Sequence, residues 1–212
     1  MQFWNSETTD KSWAKLIELS KKHDFVLIGG WAFYLYSSLQ KSRDIDLIAS
    51  YESFSKLSSE YQVNKNMQLK KYEIKFDDFD IDIYVPFFSK LTVPPSDILE
   101  YYVTIVENIK VPTIEALLTL KLGAYKDRHD SLKGDKDSLD IVGLLSKVDC
   151  DVIKLAEIFN RYGLADYPSL LRTAILKFDK RLFPYLELNE NSFSKLKKQL
   201  LAQVEILATK LK

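Results

Sequence analysis

The chain of 212 residues is short of several things, and each shortage closes a route to function. It has one cysteine, Cys150, which excludes an internal disulfide and any multi-cysteine zinc site and suits a reducing compartment. It has no net charge, since thirty basic residues balance thirty acidic ones. No global field therefore draws it to nucleic acid or to an anionic membrane, although a small basic pocket would still suffice for an RNA end. No apolar run reaches the roughly 18 residues of a membrane span. The opening MQFWNSETTDKSW lacks the basic-then-apolar order of a signal peptide. These absences lead to the expectation of a cytoplasmic protein with no membrane partner.

What is present is a hydrophobic fraction of 46%, ample for a packed core, arranged in two styles. In the first half, short helices alternate with strands. Trp13, Leu16, Ile17 and Leu19 outline an amphipathic helix after Thr9 and Asp10. Strands are expected over 25–28, 44–49, 69–76 and 79–85, the last two as a hairpin turning at Asp77 and Asp78, with a further edge strand over 101–106. From Pro112 onward the strand pattern fades, and helices are expected from Thr113, over 135–147, 151–161, 168–178 and 191–210. The expected domains are 1–110, an α/β unit, and 111–212, all helical.

The chemistry concentrates in VLIGGWAFYLYSSLQKSRDIDLIAS, from Val26 to Ser50. Residues two apart on a strand share a face about 6.6 Å apart, so Asp44 and Asp46 point one way while Ile45 and Leu47 pack behind them. FDIDIYV repeats the device with Asp80 and Asp82. Were the two strands neighbours, their carboxylates would converge, and carboxylates on a packed strand are costly unless a cation or water meets them. A hard divalent cation with oxygen ligands answers that need. Gly29 and Gly30, between a strand and a helix, suit close approach of backbone N–H groups to a phosphate. Together these features describe phosphoryl or nucleotidyl transfer.

Two other readings of Asp-x-Asp fit less well. A glycosyltransferase motif normally follows a long nucleotide-binding half, for which 43 residues leave no room. The haloacid-dehalogenase pattern wants Thr or Val where Ile48 stands.

The order strand, Gly-Gly, helix, Asp-x-Asp strand, later aspartate strand resembles the nucleotidyltransferase superfamily that includes DNA polymerase beta. LIGGWAFYLY with SRDIDLIA is most similar to its small prokaryotic abortive-infection and toxin-type branch, whose helical Lys-Asp segment LLTLKLGAYKDRHDSLKGDKDSLDIVGLL also resembles. The resemblance implies an α+β fold, a mixed β-sheet flanked by helices and followed by an all-helical domain. It implies an enzyme moving an NMP from an NTP to an acceptor: a tRNA end, a protein or a small molecule. Asp44, Asp46 and Asp82 would be catalytic and hold two Mg²⁺ ions, or Mn²⁺. Gly29, Gly30, Ser42, Arg43, Lys121 and Lys136 would bind the nucleotide. A cognate antitoxin is the implied protein partner. Where the family often carries an arginine and a threonine before the aspartates, this chain reads Gln40-Lys41-Ser42-Arg43, so Ser42 supplies the hydroxyl and Lys41 or Arg43 the positive charge. The alternative is a binding or regulatory protein that keeps this fold without turnover. His23 and His129 are expected at the surface, Cys150 as a packed or loop thiol, and Trp31, Tyr34 and Tyr36 in the core.

Overall fold

Helix α1 (Ser6–Lys22) begins earlier than its apolar pattern suggests, because the Asn5 side chain accepts the Glu7 backbone N–H at 2.8 Å and caps it. The computed structural model describes residues 2–211; Met1 and Lys212, the outer ends of the two expected domains, lie outside the described residues. By its internal contacts the chain divides into two compact units, 2–113 and 114–211.

In the first unit, β1 (Val26–Ile28) leads directly into α2 (Gly29–Ser37), then β2 (Ile45–Ile48), α3 (Tyr51–Glu60), β3 (Asn64–Asn66), β4 (Lys71–Lys75) and β5 (Asp80–Tyr84). These strands form one mixed sheet in the order β1-β2-β5-β4-β3. Strand β5 lies between β2 and β4, parallel to β2 and antiparallel to β4. The period-2 pattern explains the layering. Ile45, Leu47, Ile81 and Ile83 are wholly buried on one face, each contributing about 1.5–3 kcal/mol of burial, while Asp46 and Asp82 lie on the other, partly buried. Trp31 of α2 is also fully buried, and its indole N–H donates to Ser12 of α1 at 2.9 Å, which is why a serine sits in that helix's apolar face.

The unit closes with α4 (Pro95–Tyr101), β6 (Val103–Val106) and β7 (Ile109–Pro112). The segment expected as a further edge of the main sheet instead pairs with β7 in a separate two-stranded ribbon. Tyr36 ties α2 to this ribbon through a 2.8 Å hydrogen bond to the Pro112 carbonyl. His23, expected at the surface, is buried with Nε2 3.3 Å from Glu60. The chain leaves α1 there, and its backbone N–H caps Leu19.

The second unit comprises α5 (Ile114–Arg128), α6 (Leu132–Lys147), α7 (Val152–Arg161), α8 (Tyr167–Leu176), a 3₁₀ segment (Lys180–Leu186) and α9 (Glu190–Thr209). Asp151 caps α7, accepting the Ile153 and Lys154 N–H groups, and its own N–H is received by the buried Glu115 of α5. No helix among the described residues is long and apolar enough to cross a membrane.

Candidate active site

The first turn of α2 sets the geometry. Gly29 has φ +65, a conformation that costs other residues about 1–2 kcal/mol. A Cβ there would land inside the Asp46 carboxylate, and one on Gly30 would lie 2.5 Å from Ser42 Oγ. Neither position has room for a side chain. The adjacent glycines thus bring the start of α2 against Asp46 and Ser42, and the turn that the sequence suggested for phosphate is in contact with the Asp-x-Asp strand.

Strand register does the rest. Asp46 is the partner of Ile28 on one side and of Asp82 on the other, and Asp82 is in turn the partner of Glu73 on β4. Register partners share a face, so Asp46, Asp82 and Glu73 form a row of carboxylates across three strands. Asp44 stands just before β2. Its Oδ1 accepts the Asp80 backbone N–H at 3.1 Å, and Arg43 grips both of its oxygens at 3.0 Å. Asp80 thereby serves Asp44 through its main chain, and Asp82 is the carboxylate in line with Asp46.

Two cations answer these acids. Arg43 lies over the Trp4 ring at 5.6 Å while it holds Asp44. Lys71 reaches from β4 to Asp82 Oδ2 at 2.5 Å and to Glu73 Oε1 at 3.1 Å. The Asn66 amide also donates to Glu73, at 3.0 Å. Burial pushes the Asp82 carboxyl above its ordinary range, an effect that Lys71 only partly offsets, with Glu73 and Asp44 adding repulsion. Its Oδ1 is buried and has no hydrogen-bond partner. Lys71 and Glu73 were not among the residues singled out from sequence. The alternation in KYEIK carried the signal, readable only once the hairpin register sets Glu73 opposite Asp82.

As the side chains stand, the described residues include no group of three His, Cys, Asp or Glu positioned to hold a metal. The donor set nevertheless fits a hard cation: oxygen ligands on neighbouring strands, one of them an unsatisfied buried carboxylate oxygen, beside a turn that excludes side chains.

Lys121 and Lys136, assigned to the nucleotide from sequence, belong to the helical unit and are buried there. Lys121 Nζ lies 3.1 Å from Asp137 and 3.0 Å from Asp140, Lys136 pairs with Asp140, and Arg128 donates twice to Asp137. Burial works against the charge on Lys121, but the two aspartates outweigh it and raise its pKa. For Lys136 burial prevails and the pKa falls. Burial also opposes ionisation of Asp137, yet Lys121 and Arg128 hold its pKa below the usual range. His129 is exposed, as expected. Burial raises the Cys150 thiol to about 12, far from a reactive thiolate.

Residues 7–162 match the family described as "Nucleotidyltransferase of unknown function (DUF6036)". The chain belongs to that family. No curated protein matches it. Among solved structures it is similar to the crystal structure of JHP933 from Helicobacter pylori, with 16% identity and a TM-score of 0.51 over 98% of this chain and 94% of that one. It is also similar to the "putative nucleotidyltransferase from H. pylori", with 16% identity and a TM-score of 0.49 over 98% and 97% of the two chains. At 16% identity the likeness to JHP933 concerns the fold alone; with the family match, the fold is the expected one, a nucleotidyltransferase-like mixed sheet flanked by helices with a helical C-terminal part.

Proposed function

We propose that the protein is a Mg²⁺-dependent nucleotidyltransferase that moves a nucleoside monophosphate from an NTP to an acceptor. The observation that carries this reading is the contact between the Gly29-Gly30 turn and Asp46, with Asp82 in register beside it. In the reaction an acceptor oxygen attacks the α-phosphorus, the bond to the bridging oxygen breaks, and pyrophosphate leaves. Backbone N–H groups at the start of α2 receive phosphate oxygens, aided by the helix dipole. Ser42 adds a hydroxyl at the same turn. Arg43 could exchange Asp44 for the triphosphate, and Asp44, Asp46 and Asp82 Oδ1 would then be the oxygens that hold the metal. Bound Mg²⁺ (or Mn²⁺) would supply neutralisation of the charge developing on the phosphates. The acceptor's proton would pass to water, since the oxygens of Asp82 would be taken up by the metal at Oδ1 and by Lys71 at Oδ2. Lys121 and Lys136 are left out of this assignment because their ammonium groups are buried against Asp137 and Asp140.

The acceptor is a tRNA end, a protein hydroxyl or a small molecule, in the cytoplasm. The toxin setting, with a cognate antitoxin, rests on the sequence resemblance alone. Incubation with each labelled NTP and Mg²⁺ against total tRNA, protein extract and an aminoglycoside panel tests the proposal. One acceptor class should take up label with release of pyrophosphate, and the Asp46→Asn variant should do neither. Absence of both products with every NTP and acceptor would overturn it.

One observation favours the rival reading of a fold that binds without turnover: Asp44 and Asp82 are each paired with a basic residue of the chain itself. That reading predicts NTP binding with no pyrophosphate release, and indifference of binding to Asp46→Asn.

A further inference from the structure

Two ions are the sequence expectation, and the structure bears on where a second would sit. Asp82 has two oxygens in unlike surroundings. Oδ1 is buried without a hydrogen-bond partner, on a residue in register with Asp46. Oδ2 is 2.5 Å from the Lys71 ammonium, which also lies 3.1 Å from Glu73. All three side chains of this bridge are at most 15% exposed, so the ammonium is a fixed part of the acidic row. A lysine ammonium is a compact point charge with three donors, and here it bridges two carboxylates from adjacent strands, as a small cation would.

Building on the metal site proposed above, we infer that Lys71 takes the place of the second divalent ion, so that the protein binds a single metal, shared by Asp44, Asp46 and Asp82 Oδ1. Lys71 is then a positioning residue: it fixes Asp82 so that Oδ1 turns to the metal and Oδ2 is neutralised without one. Glu73, anchored by Asn66, is the counter-ligand that keeps the ammonium in place.

The test is a count of Mn²⁺ ions bound per full-length chain, by electron paramagnetic resonance and calorimetry, with Mn²⁺ and a non-hydrolysable NTP. The wild type should bind one ion. Lys71→Ala should bind two, because Asp82 and Glu73 are released to a second ion. Lys71→Arg, which keeps a cation, should return to one. Should Lys71→Ala alone fail to fold through carboxylate repulsion, Lys71→Ala in a Glu73→Gln background removes one of the charges and should still gain an ion at Asp82 relative to Glu73→Gln alone. Two ions in the wild type, or no gain in either Lys71→Ala background, would overturn the inference and leave the nucleotidyltransferase proposal standing. No ion in the wild type would overturn both.

Discussion

The molecule contains two clusters of charged side chains, and they are built on opposite plans. In the helical unit, Asp137 and Asp140 are almost wholly buried; Asp137 faces Lys121 and Arg128 of α5, and Asp140 faces Lys121 of α5 and Lys136 of α6. Such a cluster pairs its charges with one another, the pattern of a structural ion-pair network. On the sheet, Asp44, Asp46, Asp82 and Glu73 lie on a partly buried face, and a buried oxygen of Asp82 has no hydrogen-bond partner. The contrast teaches that a buried charge alone does not mark a site. Each cluster has one buried carboxylate oxygen without a hydrogen bond, Asp140 Oδ2 and Asp82 Oδ1; the first lies 3.0 Å from the Lys121 ammonium, and what marks the second is its row of carboxylates beside a turn with no room for side chains.

The sharpest way to break the comparison is to neutralise one acid in each cluster. Asp46→Asn should lower nucleotide transfer by several kcal/mol, roughly a thousandfold, and leave the stability in metal-free buffer equal or slightly higher, because it removes like-charge repulsion. Transfer kinetics with a urea titration would show both, and undiminished transfer would refute the assignment. Asp137→Asn should do the reverse: it removes the carboxylate shared by Lys121, which keeps Asp140, and the part-exposed Arg128, and should cost about 1–3 kcal/mol of stability, read from the same titration. An unchanged midpoint would mean that the helical cluster is not structural.

A smaller effect is expected at the turn. Gly29→Ala places a side chain at φ +65 against Asp46 and should cost about 1–2 kcal/mol in stability, together with a weakened NTP affinity measurable by calorimetry. The smallest concerns acid. Asp137 has a folded pKa below its unfolded one, so its contribution is fully present above the ordinary carboxylate pKa of about 4 and is lost as pH falls through the folded value. Amide exchange at pH 3 against pH 6 should therefore show α5 and α6 losing protection before β2 and β5. The opposite order would assign the acid-sensitive element to the sheet.

Much of this was legible from residue spacing, for physical reasons. DIDLI and DIDIY alternate with period 2 because one face packs and the other does not, and the hairpin at Asp77-Asp78 follows from its turn residues. Helix α3 was missed because it buries only Ser53 and Leu57 and shows little apolar period, although Ser50 caps it by accepting the Ser53 N–H. Strand β3 is Asn-Lys-Asn at the sheet edge, held by pairing with β4 and not by propensity. At the site, Gly29, Gly30, Asp44, Asp46 and Asp82 could be named because close backbone approach and paired carboxylates leave local patterns. Lys71 and Glu73 could not, since their meaning lies in cross-strand register. Lys121 looks like an outlier in LLTLKLGA because the two aspartates it meets, Asp137 and Asp140, lie on the next helix.

The most direct test of the central claim is a crystal structure with Mn²⁺ and a non-hydrolysable NTP, using the anomalous signal to place the metal. The account predicts metal against Asp44, Asp46 and Asp82 Oδ1, with the phosphates over Gly29 and Gly30 and Arg43 turned from Asp44 to the triphosphate. A nucleotide bound with Arg43 still on Asp44 and no metal at the aspartates would contradict it.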